Sequence, residues 1–176
     1  MSVLEKFLPQ DTGWRFSGSR GGGLGAQTEG AELSVNLGLG TYYVTDPGGA
    51  AHGLPFANLE VGVGISLSLG VNIFGSLRSF PSSGVGSIYK HPRLTGPLEE
   101  SNLRSGTYAA FTISKGTVGA SGDLSVIFMG IPWLSSFDPS IVGSLLAANA
   151  VGVLAATTAR FEIGLIAISG LRGKIF

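Results

Sequence analysis

Residues 59–77, LEVGVGISLSLGVNIFGSL, alternate between two kinds of side chain. Leu59, Val61, Val63, Ile65, Leu67, Leu69, Val71, Ile73 and Leu77 fill the odd positions, and only Gly75 breaks the row. The even positions carry Glu60, Gly62, Gly64, Ser66, Ser68, Gly70, Asn72 and Ser76, with Phe74 as the exception. A period of two belongs to an extended strand, whose successive side chains point to opposite faces. At about 3.3 Å per residue the run would reach roughly 60 Å, far more than an ordinary strand of roughly five or six residues. It reads as two strands broken near Gly70, or as one long ribbon. One face is apolar and the other is nearly bare of side chains. Any fold must cover the first and exploit the second.

Residues 32–45 repeat the pattern. Leu33, Val35, Leu37, Leu39, Thr41 and Tyr43 alternate with Glu32, Ser34, Asn36, Gly38, Gly40 and Tyr42. Between the two runs lies Asp46-Pro47-Gly48-Gly49. Pro presets φ and Gly supplies positive φ, so this is a strong turn signal. An antiparallel ribbon joining the two runs is expected.

The rest of the chain is less regular. Residues 1–13 suggest one helical turn ended by Pro9, and the Gly-rich stretch 17–30 reads as a loop or turn. A phosphate cradle in GGGLG is disfavoured, because a strand-like run follows it where a helix is required. Residues 78–104 hold Pro81, Pro92 and Pro97, a short strand at 85–89, the basic cluster Lys90-His91-Pro92-Arg93 and the acidic pair Glu99-Glu100. Further strands are expected at 107–114, 124–129 and 163–168. Asp138-Pro139-Ser140 has the chemistry of a helix start. Residues 141–159 carry no charge and have small residues at spacing four: Gly143 and Ala147, then Ala148, Gly152 and Ala156. As a helix this stretch would be roughly 29 Å long, near a bilayer's hydrocarbon thickness. A helix buried in a core is favoured over a span, because Ala and Gly drive insertion poorly. Its small side chains would let it lie close on the Gly/Ser face of the sheet.

These elements give one mainly β (α+β) domain over 1–176: an N-terminal segment to 30, a β-rich body over 31–130, an apolar helix over 138–160, and a final strand and tail over 161–176. The chain has equal numbers of acidic and basic residues, 12% charged residues, 44% hydrophobic residues, 29 Gly and no Cys. That composition excludes disulfides and thiolate metal sites. It carries no electrostatic footprint for nucleic acid. Charge this sparse makes an isolated monomer poorly soluble. It favours burial in a homo-oligomer, against a protein partner or in membrane lipid. The N-terminus lacks the apolar core of a secretory signal peptide, so the chain is expected to be cytoplasmic or exported by a signal-independent route.

Little in the sequence converges on catalysis. His52 and His91 are the two histidines, neither in a metal-binding spacing, and both read as exposed loop residues. There is no G-x-S-x-G elbow and no P-loop. Glu99 and Glu100 are adjacent, so their side chains diverge. Glu32 and Glu60 lie on the small face, where packing would require partners such as Arg78, Arg104 or Arg160. No cofactor or metal is implied, and no catalytic residue is assigned.

The run Gly40-Thr41-Tyr42-Tyr43-Val44-Thr45-Asp46-Pro47-Gly48, followed by the Gly-alternating stretch 61–70, resembles small glycine-rich proteins encoded near bacterial type VI secretion spike and effector genes. The likeness covers about a third of the chain and implies a bacterial, effector-associated accessory protein. The expected function is a non-enzymatic interaction or assembly protein with membrane-active potential. The alternatives are a pore-forming protein that oligomerises through its ribbons, and a small enzyme with a site in 78–104. The candidate membrane or oligomer contacts are Leu59, Val61, Val63, Ile65, Leu67, Leu69, Val71, Ile73, Gly143, Ala147, Gly152 and Ala156.

Overall fold

Alternation along the chain is converted into a closed wall. The computed structural model describes residues 10–27, 33–66, 85–117, 120–132, 141–158 and 164–176. Eight strands form it: β1 (Gln10–Gln27), β2 (Leu33–Thr45), β3 (Ala51–Ser66), β4 (Val85–Lys90), β5 (Thr107–Thr117), β6 (Ala120–Ile131), β7 (Ala150–Thr158) and β8 (Gly164–Ile175). Their order around the barrel is β1-β2-β3-β8-β5-β6-β7-β4, and every described pairing is antiparallel. Two three-stranded meanders, β1–β3 and β5–β7, are thus stitched together by β8 on one side and β4 on the other. Two short helices complete the described structure, α1 (Glu100–Arg104) and α2 (Ile141–Ala147).

The β2–β3 ribbon pairs as expected, from Thr45 opposite Ala51 down to Leu33 opposite Val63. The 46–49 turn closes it, with the Gly49 N–H on the Asp46 carbonyl and Gly49 at φ 89°. Of the opening run, β3 takes the portion through Ser66; residues 67–77 lie outside the described residues.

Three expectations are corrected. The Gly-rich stretch after Ser17 is strand to Gln27, because β2 supplies a complete ladder partner along it. The apolar segment near the C-terminus is not one helix over 138–160. Helix α2 spans seven residues, and β7 follows it, hydrogen-bonded to β6 and β4. The β-branched Val151 and Val153 suit that ladder. No described helix is long and apolar enough to cross a membrane. Finally, among the described residues no helix covers the Gly/Ser face of the sheet. It is the inside of the barrel, and closure is reached within one chain without a second copy.

An eight-stranded barrel has an interior just wide enough for side chains to fill. Here aromatic rings fill the end nearest the β2–β3 turn. Tyr42 is the hub, stacked on Phe56 at 4.4 Å and edge-on to Phe16 at 5.8 Å and Tyr108 at 6.1 Å. Val44, Leu54, Ile88, Ile127, Met129, Leu154 and Ile175 complete this core. Glycines on the wall make room for the rings. A Cβ on Gly152 would come within 2.5 Å of the Phe16 ring, one on Gly40 within 2.7 Å of Phe56, and one on Gly173 within 2.6 Å of Tyr108.

A Gly152→Ala substitution forces a methyl group against the buried Phe16 ring. It is expected to destabilise the barrel by about 1–3 kcal/mol and to lower the thermal midpoint. Gly53→Ala meets only ordinary contact, at 3.4 Å from Thr41, and serves as the neutral control in the same melts.

Candidate functional site

Two regions carry chemistry: the outer wall and the capped mouth. The barrel interior between them is also unusual, and the wall is where the sequence pointed.

Side chains that alternate with the core face outward. Leu37, Leu39 and Leu59 are 56%, 61% and 51% exposed, and Val85, Leu124 and Val153 are also open. The apolar face of the ribbon is therefore the outside of the barrel. Strand register carries the pattern around the wall. Leu33 pairs with Val63, Val63 with Ile168, Ile168 with Ile113, Ile113 with Leu124, Leu124 with Ala155, and Ala155 with Val85. One row of apolar residues thus crosses seven consecutive strands. The row above it runs Val35, Val61, Gly170, Phe111, Val126, Val153 and Ser87. Nearer the capped mouth, Arg15, Arg20 and Lys174 are exposed.

The sequence-expected contact residues distribute unevenly over this surface. Leu59 lies on the open outer wall, and Val61, Val63 and Ile65 follow at alternate positions of β3. Leu67, Leu69, Val71 and Ile73 lie outside the described residues. The small residues do not share one helix face. Gly143 and Ala147 belong to α2, whereas Gly152 and Ala156 belong to β7, and Gly152 sits under the Phe16 ring inside the barrel. Helix α2 packs Ala147 toward a second cluster of Ala109, Phe128, Ile131, Ala148 and Val151 on the outer side of β5–β7. Its Ser144 is fully buried and accepts a hydrogen bond from the Arg172 guanidinium at 3.0 Å. Ile141, Val142, Leu145 and Leu146 remain exposed on it.

The mouth at the β2–β3 turn is closed by the segment 91–106, which contains α1. Leu98 and Leu103 are buried in the aromatic core, with Leu94 packed beside them. The Trp14 indole N–H donates to the Leu98 carbonyl at 3.0 Å. The Lys90 ammonium reaches the Gly96 carbonyl at 2.6 Å, and the Asn149 amide bonds the Ser105 hydroxyl at 3.0 Å. Asn102 Oδ1 accepts the Glu99 N–H at 2.9 Å at the start of α1.

His52 joins this segment to the barrel. It begins β3 instead of standing in an exposed loop, and its side chain is about a quarter exposed. Nδ1 lies 2.8 Å from Glu100 Oε2, and Nε2 lies 3.2 Å from Asp46 Oδ2. The Trp14 ring sits 5.2 Å away. Glu100 also accepts from the Arg104 Nε at 2.7 Å, and Arg104 donates onward to the Gly53 carbonyl at 2.7 Å. Arg104 is thus spoken for by Glu100; Glu32, Arg78 and Arg160 lie outside the described residues. With a carboxylate on each ring nitrogen, both nitrogens donate and the ring is held as imidazolium. The Asp46 hydrogen bond, followed by Glu100, raises the His52 pKa above its ordinary value against some desolvation. Arg104 holds the Glu100 carboxyl below its usual range, and His52 does the same to Asp46. His91 behaves oppositely. Its Nδ1 accepts the Arg93 backbone N–H at 3.1 Å, and burial, reinforced by Arg93, lowers its pKa.

Between wall and mouth lies Asn58, 3% exposed, with neither side-chain amide atom hydrogen-bonded. It pairs across to Gly38 and Gly173, just beyond the aromatic core.

Sequence reasoning missed the His52 cluster, because Asp46, His52 and Glu100 converge only through the fold. The readable fragment was Glu100 and Arg104, an i,i+4 pair suited to a helix turn. No family model matches the chain, and no curated protein or solved structure matches it either.

Leaving a buried amide unpaired costs about 1–3 kcal/mol, whereas an apolar group of the same shape removes the penalty. Asn58→Leu is therefore expected to leave the denaturant midpoint unchanged or raise it. A loss of stability in that variant would mean that an interior partner satisfies the amide.

Proposed function

We propose that this chain is a non-enzymatic, bilayer-seated β-barrel. Its apolar outer wall is the lipid contact, and its capped mouth stands in water. The observation that carries the reading is the apolar row running from Leu33 through Val63, Ile168, Ile113, Leu124 and Ala155 to Val85. In a barrel that stays in water, the apolar residues point inward and the polar ones outward. Here the interior holds an aromatic and aliphatic core, and Leu37, Leu39, Leu59, Val85, Leu124 and Val153 make the exterior apolar as well. An apolar outer face is the pattern of barrels whose solvent is hydrocarbon.

The dimensions agree. A membrane-crossing strand needs roughly 9–11 tilted residues. Strands β1, β2, β3, β5, β6 and β8 run 11 to 18 residues. The cations Arg20 and Lys174 lie toward the capped end, where long basic side chains reach the polar headgroups. A protein partner or a second copy would also accept an apolar surface, but would cover a patch. A row that passes across seven of the eight strands suits a solvent that surrounds the barrel. With rings filling the end nearest the β2–β3 turn and the segment 91–106 over that mouth, the barrel in this conformation is closed at one end.

Vesicle flotation tests this reading. The full chain, mixed with phosphatidylcholine vesicles, is expected to rise with the lipid and to need detergent to remain monodisperse in light scattering. A Leu124→Arg, Val85→Arg double variant places two charges on the lipid-facing row, each unfavourable by about 2–4 kcal/mol near the bilayer midplane. It should lose most of its flotation. A wild-type chain that stays monodisperse without detergent and ignores vesicles would overturn the proposal.

A further inference from the structure

We infer that the segment 91–106 is a releasable strap over the barrel mouth, and that His52, gripped between Asp46 and Glu100, is its latch. The inference goes beyond the bilayer reading and does not depend on it, since it concerns the closure of the mouth alone.

The strap is held by the Trp14, Lys90 and Asn149 hydrogen bonds, and its helix by a further tie through a histidine. It places Leu98 and Leu103 on the aromatic core but contributes no strand to the barrel ladder. Helix α1 is five residues long, too short to hold its own conformation in water without tertiary contacts. Two ties fix α1 to the β2–β3 hairpin: the His52–Glu100 hydrogen bond at 2.8 Å and the Arg104 hydrogen bond to the Gly53 carbonyl at 2.7 Å. Among the described residues, the charged groups around the His52 ring are Asp46 from the hairpin turn and Glu100 from α1, with Arg104 behind Glu100. From β1 it meets the uncharged Trp14 ring.

This geometry works only while the ring carries two protons. A neutral imidazole has one N–H donor and one lone pair. Deprotonation turns a lone pair toward one of the two carboxylates and removes the positive charge that both of them face, which weakens the grip on Glu100 and on Asp46 alike. Because the folded His52 pKa is raised, the latch is complete below the ordinary imidazole range and fails as pH rises through the raised value. Asp46 and Glu100 are lowered, so their share fails only as pH falls through their depressed values. The strap is closed between these limits and opens on the alkaline side. Release would uncover the Trp14 indole, now bonded to Leu98, and the aromatic core behind it.

The test is amide exchange and histidine NMR on the full chain across pH 6 to about 9, with the usual intrinsic-rate correction. His52 should titrate above His91. The Asn102 and Ser105 amides, bonded to the Glu99 and Ser101 carbonyls, should lose protection through the same midpoint, on the order of tenfold for each pH unit of elevation. The Val44 amide in β2 should hold. His52→Gln should release the strap at every pH with the β signal in circular dichroism intact, and His52→Arg should keep it closed at alkaline pH. Should His52→Gln fail to fold, Glu100→Gln keeps an acceptor for Arg104 and must lower the His52 midpoint. Strap amides that stay protected through the His52 titration, or a midpoint unmoved in Glu100→Gln, would overturn the proposal.

Discussion

The narrow interior of an eight-stranded barrel is the constraint from which the rest of this structure follows. Such an interior admits side chains and little else. The chain meets that limit by placing rings over bare backbone. Phe56 lies against Gly40, Phe16 against Gly152 and Tyr108 against Gly173, with Tyr42 between them. Each ring occupies the volume that a wall side chain would otherwise need. Gly40, Gly152 and Gly173 are therefore packing partners. Their lack of a Cβ lets the wall close at this radius while still burying four aromatic rings.

Once glycines, rings and a few aliphatics hold the inside, the period of two puts the alternate residues Leu37, Leu39, Leu59, Val85 and Val153 outside. Register then decides whether those residues scatter or align. The pairings from Leu33 across to Val85 align them. A surface of scattered leucines is ordinary in water; an aligned row across seven strands is a contact surface. The mouth has the opposite character. There, polar groups are gathered around one ring, and a short segment with two buried leucines lies over the core. The barrel thus has an apolar wall and a polar end.

The interior also has an unresolved polar member in Asn58, whose amide finds no partner although Gly38 and Gly173 flank it. Residues that break the logic of their surroundings in this way mark positions that packing alone did not choose.

Much of the local structure was written in the chain. Alternation at 32–45 and from 59 onward, with Asp46-Pro47-Gly48-Gly49 between, determined the β2–β3 ribbon and its two unlike faces, because side-chain period and turn chemistry are local properties. The same local reading failed at 150–158. A run of Ala, Val and Gly is compatible with either a helix or a strand, and the free edges of β6 and β4 settled it by offering hydrogen bonds on both sides. It failed also at 21–27, where glycine's freedom signalled a loop until β2 fixed it. Above all, alternation does not say which face turns inward. That sign was set by closure: the face that turns inward carries Gly40, Gly152 and Gly173 where Phe56, Phe16 and Tyr108 need room, and so fits the small radius of eight strands. The meeting of Asp46, His52 and Glu100 is likewise a product of topology, since residues 48 positions apart in the chain share a site only after the strap crosses the mouth.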